Sequence, residues 1–534
     1  VKTVKLTRRA AIVAAAAVPL WGCGRPLSAV EGGFSGVQVE RGHLLRDPSK
    51  VLRQTPAVTH RTGVLIAGGG VAGLAAARAL RQRGQEDFAI LELEDTAGGN
   101  SRAARVGGLP CPLGAHYLPV PGDDAREVQD LLEELGVRQR VGGRWTYDER
   151  MLCHSPQERL YFEGEWQEGL LPMQGVNDAT LAQYRLFAAR VRDVQRSARF
   201  TVPALRVPFT PAHAALASQT FVAWLDAQGV HDTHLRWYLD YCCRDDFGAG
   251  IGVVSGWAGL HYFASRHGFH APGDAADFLH AHDSGESAVL TWPEGNGWLT
   301  QQMARPLGER IKPARTVLRI AASRHGVEVD AFDHAAQRIE RWQAARCIVA
   351  LPLHVAARVV ENAPQTLRDA NAATPHASWL VANLLLREPL RDRPGAPPSW
   401  DNVLYGSAGL GYVDARHQSL DPRPGPTVLT WYRALGIAPE LRRELLMKPF
   451  EAWRDEIMAE LSVAHPDIAA KAARMEITRY GHAMATPVPH PRPWQAPAVV
   501  RADRLLFAHS DWSGYSIFEE AFTRGHLAGA AVAA

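Results

Sequence analysis

The chain has 534 residues, 46% of them hydrophobic and 21% charged. That balance excludes a disordered, collagen-like or coiled-coil protein, and a chain this long buries a large core without disulfide or metal staples. Its 58 basic and 56 acidic residues nearly cancel. Nucleic acid, which demands a basic surface, is therefore not expected as a partner.

Residues 1–23 read as an export address. Lys2, Lys5, Arg8 and Arg9 form a basic head, Ala10 to Leu20 form a short apolar core, and Leu20-Trp21-Gly22-Cys23 follows. This is the layout of a bacterial signal. Thr7-Arg8-Arg9-Ala10-Ala11-Ile12 resembles the twin-arginine signal, whose route carries folded proteins. Leu20 to Cys23 resembles a lipobox with Cys23 lipidated. The expectation is a periplasmic protein, or one held to the membrane on its periplasmic side through Cys23. The apolar core is too short for a bilayer span, which needs about 20 residues. Residues 24–60 look loop-like and read as a tether.

The first folded segment has the pattern of a dinucleotide site. Val64-Leu65-Ile66-Ala67 suits a buried parallel strand. Gly68-Gly69-Gly70-Val71-Ala72-Gly73 follows and leads into the helix-favouring run Leu74 to Leu80. Phe88-Ala89-Ile90-Leu91 is a second buried strand, with Glu92 at its end. Gly68 permits the tight turn, Gly70 lets backbone approach a pyrophosphate, and Gly73 lets the helix pack on the sheet. The helix N-terminus turns unpaired N–H groups toward the phosphates. Glu92 is spaced to accept hydrogen bonds from a ribose.

Three further stretches give a family resemblance. Gly98-Gly99 follows soon after Glu92, Gly114-Ala115-His116-Tyr117 lies beyond it, and Leu506-Phe507-Ala508-His509-Ser510-Asp511-Trp512-Ser513-Gly514-Tyr515 stands near the far end of the sequence. Together they resemble the flavin-containing amine oxidase superfamily, which includes monoamine and polyamine oxidases and phytoene desaturase-like enzymes. The resemblance implies FAD and an α/β fold: a Rossmann-like FAD-binding domain of the glutathione reductase type, interleaved with an α+β substrate domain. The FAD-binding pieces would be 61–150, 291–355 and 500–534, and the substrate domain 151–290 and 356–499.

By the same resemblance, Gly68, Gly70, Ala72, Gly73, Glu92, Gly98, Gly99, Asn100, Arg102, Gly114, Ala115, Val317, Asp511 and Tyr515 would hold the cofactor. Val317 would lend backbone hydrogen bonds to the adenine, and Asp511 would lie near the ribityl chain and pyrophosphate. Tyr515 would be one wall of an aromatic cage, with His116 and Tyr117 beside the ring. The chain also departs from the family. Asn100-Ser101-Arg102 displaces the usual Arg after the Gly-Gly pair. His509 stands for Gly, Trp512 follows Asp511 without a spacer, and Glu519-Glu520-Ala521 replaces Glu-Gly-Ala.

The family's activity would be hydride transfer from a small-molecule substrate to flavin N5, with the protein supplying position and electrostatics. Oxidation of an amine or polyamine C–N bond is the leading expectation. The alternatives are a C–C desaturase or isomerase of an apolar substrate, and a non-catalytic flavin-binding lipoprotein. His482, Tyr515 and His116 are the catalytic candidates, His482 as an acid or base near neutral pH. Asp245-Asp246 and Asp401 are candidates to attract an amine cation, although paired charges are more often solvated. The family's Lys near N5 has no counterpart among Lys2, Lys5, Lys50, Lys312, Lys448 and Lys471. This leaves the electron acceptor open between oxygen and a quinone. No metal is expected, because His267, His270, His280 and His282 lack a ligand spacing. The cysteines carry no function, and none follows Cys347.

Overall fold

A computed structural model describes residues 30–266, 268–272, 288–421, 423–490 and 496–533. The export leader, Cys23 and three of the four clustered histidines (His267, His280, His282) lie outside them.

Two large sheets organise the chain. The first is built around Val58–Ala67, whose last four residues are buried and apolar. It pairs in parallel with Phe88–Leu91 on one side and with Arg338–Val349 on the other. Arg338–Val349 is long enough to serve two further partners. Its first half carries the antiparallel meander of Val327–Asp333 and Arg315–Ala322, and its last residues pair in parallel with Leu505–Phe507. Four parallel strands thus end at one edge of the sheet, and the residues that follow them are Gly68, Glu92, Ala350 to Pro352 and Ala508 to Asp511. Ligands of open α/β sheets bind beyond the carboxyl ends of the strands.

The helix Val71–Gln82 covers this edge. It is rich in Ala and Gly, so the C-terminal helix Phe518–Ala533 lies almost backbone to backbone against it. A Cβ on Gly525 would fall 2.0 Å from the Ala72 carbonyl oxygen, and one on Gly529 would fall 2.4 Å from that of Ala76.

The second sheet has the order 31–34, 472–485, 376–386, 427–436, 412–414, 401–404, 158–162, 165–168. Its central strands, His376–Leu386, Thr427–Gly436 and Ala472–Ala485, are antiparallel. Helices pack over one end. Asp178–Ser197, Phe221–Ala227, Thr233–Phe247 and Gly256–Ala264 each start at a residue (Asn177, Thr220, Asp232, Ser255) whose side chain accepts a backbone N–H, which satisfies one orphan donor of the first turn. Gly248 ends the third of these in the left-handed conformation.

Residues 30–60 are not a free tether. Glu31–Phe34 pairs in parallel with Arg474 to Ile477 at the edge of the second sheet. Gln38 and Arg41 are bonded to the loop after Phe88–Leu91. The sequence reads as loop because this pairing joins segments more than 400 positions apart, which local pattern does not encode. No described helix is long and apolar enough to cross a membrane. Among the described residues no group of three His, Cys, Asp or Glu could hold a metal ion, and all five described cysteines are free.

Candidate active site

One cavity of about 700 Å³ opens between the two sheets, lined by Gly68, Gly70 and Glu92 from the first and by Trp379, Val381 and Tyr432 from the second. Its glycine wall is shaped by close approach. Gly68 has φ +102°, and a Cβ there would stand 2.3 Å from the Ala350 carbonyl oxygen. A Cβ on Gly73 would meet the Gly68 carbonyl oxygen at 1.9 Å, so only Gly lets the helix start here. Above Gly70 there is room instead, the nearest atom being the Gly99 Cα at 3.8 Å. Glu92 closes the turn: its Oε2 accepts from Gly69 N at 2.8 Å and its Oε1 from Glu94 N at 2.9 Å.

The second glycine pair meets the first. Gly98 N donates to the Gly69 carbonyl at 2.8 Å, and Gly98 and Gly99 both have positive φ. Asn100 reaches across to the Ala483 carbonyl at 2.6 Å. Arg102 folds back, donating to the Gly99 carbonyl at 3.1 Å and facing Glu94 at 3.5 Å. Its charge is thus partly spent on Glu94. Gly114 lies against Asn100, and Ala115 N donates to the same Asn100 carbonyl at 3.0 Å. Val317 lines the cavity at a bulge that interrupts its ladder.

Asp511 arrives from the C-terminal side. Its Oδ2 accepts from Leu353 N at 2.9 Å and from His376 Nε2 at 2.8 Å. Burial alone would raise its pKa, but His509 and His376 override that and hold it well below the usual carboxylate range. Its Oδ1 is buried and faces His509 Nδ1 at 3.1 Å. A glycine turn at a helix N-terminus, a buried acid at the end of the neighbouring strand and a second buried acid at Asp511 fit a dinucleotide with phosphate and hydroxyl groups.

The other end of the cavity is aromatic and acidic. The His116 ring stacks on Tyr432 (4.5 Å, 26°), with Tyr117 edge-on at 5.0 Å and Trp400 at 5.4 Å. Burial pushes His116 down to about 3. Its ring is therefore neutral and acts as a wall. Asp245 and Asp246 also line this end, and Asp246 pairs with Arg266 at 3.0 Å. Burial, and then the charge of Asp246, push Asp245 up to about 7. Asp401 is raised well above the usual range by burial, then by Asp245 and Glu158, and Glu158 itself is raised to about 7 by burial. Among the described residues no Lys or Arg pairs with Asp245, Asp401 or Glu158. The helix Thr233–Phe247 buries Asp246 and leaves Asp245 half-buried in the cavity lining. Glu158, Trp400 and Tyr432 carried no sequence signal.

Two catalytic candidates depart from expectation, Tyr515 in its place and His482 in its protonation. Tyr515 does not line the cavity. The short turn Ser510–Ser513, closed by Gly514 in the left-handed conformation, rotates it into the core. There its hydroxyl donates to Glu520 at 3.0 Å and its ring meets Phe247, Trp257 and His261. Ser516 to Glu519 line the cavity in its stead. The double acid Glu519-Glu520 was the available signal, since Glu520 also accepts from Ser513 and Ala204 and fixes this turn. His482 does line the cavity, stacked on His354 at 4.5 Å. Burial and then Arg442 lower it to about 4. Its ring is therefore neutral at neutral pH and is not an imidazolium acid there. No lysine among the described residues lines the cavity, and Trp292 and Trp298 stack on each other at 4.9 Å outside it.

Comparison with known proteins agrees with this geometry. Residues 71–533 match the family described as flavin containing amine oxidoreductase. The chain belongs to that family, and is an FAD-dependent oxidoreductase. An L-amino acid dehydrogenase of Synechocystis sp. is 26% identical over 41% of this chain and 42% of its own length, so the match spans less than half of that relative. A putrescine oxidase solved with putrescine bound is 18% identical, with 89% of this chain and 99% of that one aligned at a TM-score of 0.66. A fatty acid isomerase from P. acnes is 14% identical, with 87% and 97% aligned at 0.60. At these identities the two structures share the fold.

Proposed function

We propose that this protein oxidises the C–N bond of a small amine that binds as an ammonium ion. The observation that carries the reading is the carboxyl of Asp245, which has no ion-pair partner among the described residues, beside the aromatic wall of His116, Tyr117 and Tyr432. Buried carboxyls without a counter-charge are costly. An ammonium is the ligand that relieves that cost, and aromatic faces favour it further. A putrescine oxidase with putrescine bound shares the fold, which supports the same reading.

The glycine turn, Glu92 and Asp511 would hold FAD, which supplies the two-electron acceptor. The residues do the rest. Asp245 draws in the ammonium and takes a proton from its nitrogen, so that the carbon can release hydride. His116, Tyr117 and Tyr432 exclude water and orient the carbon. The absence of a lysine from the described cavity wall favours an acceptor other than oxygen, such as a quinone. Incubating the holoprotein with primary amines and a quinone tests both points. The expected products are the carbonyl compound and ammonia, formed faster with quinone than with air; no product from any amine would reject the reading.

A second reading is isomerisation or desaturation of an apolar substrate, favoured by the missing lysine and by the shared fold of the fatty acid isomerase. The acids of the cavity oppose it. Export through residues 1–23, with Cys23 lipidated, is proposed from sequence. Fractionation of wild type against Cys23→Ala tests it, with loss from the membrane fraction expected and unchanged partition contradicting it.

A further inference from the structure

The segment after Glu31–Phe34 crosses one rim of the cavity. Gln38 N donates to the Glu94 carboxylate at 3.1 and 3.2 Å, and Arg41 donates to the Leu93 carbonyl at 3.0 Å and pairs with Asp95 at 2.8 Å. These contacts bring His43 and Arg46 into the cavity lining, where Arg358, Arg442 and His482 also lie. Arg358 donates to the Leu45 carbonyl at 3.3 Å, which ties it to the crossing segment. Arg442 is fixed by the carbonyls of Gly481 and His376, each at 2.6 Å.

His482 stands among these three arginines, all of which disfavour its protonation. It stacks on His354, whose Nδ1 is buried and makes no hydrogen bond. Among the described residues none of Arg46, Arg358 and Arg442 has a carboxylate within ion-pair distance. Guanidinium groups that line one cavity without a counter-ion present a positive surface to whatever enters it. The fold anchors two of them on backbone carbonyls and carries the third in on the crossing segment. Such a wall attracts an anion, and the guanidinium fork matches phosphate and carboxylate oxygens.

We propose that Arg46, Arg358 and Arg442, grouped around His482, form an anion-binding site on the cavity wall that takes a phosphate- or carboxylate-bearing group. Two sources present that chemistry. One is the diphosphate of FAD itself, for which Arg102 is poorly placed because it faces Glu94. The other is the anionic group of a second ligand bound beside the loaded cofactor.

Arg46→Gln and Arg358→Gln test the site, since both side chains are exposed and their loss leaves the core intact. Arg423→Gln, on an exposed arginine that does not line the cavity, controls for net charge. Two quantities are measured: FAD affinity of the apoprotein by flavin fluorescence, and the flavin difference spectrum of the holoprotein titrated with inorganic phosphate. A diphosphate site predicts FAD binding weaker by about tenfold or more in each variant, the worth of one charge-assisted contact, with no phosphate effect on the wild-type holoprotein. A separate anion site predicts unchanged FAD affinity and a saturable phosphate-dependent spectrum that both variants lose. FAD affinity unchanged in the variants together with no phosphate response in the wild type would overturn the proposal, as would equal losses in Arg423→Gln.

Discussion

Asp245 sits where a small change in surroundings decides its charge. Burial is the largest cause of its rise to about 7, and Asp246 adds to it. A group whose folded pKa is raised this way ionises in the free enzyme only as pH climbs through about 7. The account therefore predicts that kcat/KM for a cationic amine rises across that pH range. Asp245→Asn should flatten that limb and lower kcat/KM by about a hundredfold, the usual cost of removing one partner of a buried charge pair. Flavin content should stay the same; an unchanged pH profile in the variant would remove Asp245 from the site. Asp401 gives a stability counterpart. Its folded pKa lies well above the unfolded value near 3.8. The native state then holds a proton that the unfolded state has released, so this group costs stability increasingly as pH rises above about 4. Asp401→Asn removes the cost. Its melting temperature should exceed that of wild type by more at pH 8 than at pH 5, and a pH-independent difference would contradict the assignment.

The contact of the helices Val71–Gln82 and Phe518–Ala533 is set by two glycines that sequence reading passed over. Gly525→Ala puts a methyl group 2.0 Å from a backbone oxygen, which no rotamer can relieve. The expected loss is about 1–3 kcal/mol, as for overpacking elsewhere, read from a denaturant midpoint and accompanied by weaker flavin retention. A neutral effect would mean the helices are free to separate. At this scale the legibility of the sequence divides cleanly. Gly68, Gly70, Gly73 and Glu92 were readable because a turn, a helix start and a strand end are local features of backbone chemistry. Tyr515 was misplaced because the letters Trp-Ser-Gly-Tyr fix composition and not rotation. A missing spacer after Asp511 and a second acid at Glu520 turned that ring inward. The strand Glu31–Phe34 that leads into the crossing segment was invisible for a third reason, since its partner, Ala472–Ala485, lies far away in sequence.

Across the whole molecule, the first sheet delivers Gly68, Glu92, Pro352 and Asp511 to one edge, and the second sheet supplies Trp379, Val381, Tyr432 and His482 opposite them. The cofactor half was legible from motifs that recur wherever a dinucleotide meets a parallel sheet. The substrate half was legible only as candidates, because burial is the largest cause of the raised pKa of Asp245 and of Asp401, and burial is a property of packing. In the function proposed above, this acid-lined, aromatic cavity presents a cationic amine to FAD. Anaerobic mixing of the holoprotein with a series of primary amines and with an unsaturated fatty acid tests it most directly, by the flavin absorbance near the visible maximum. The account predicts bleaching by at least one amine, slowed in Asp245→Asn, and none by the fatty acid. A flavin that stays oxidised with every amine would contradict it.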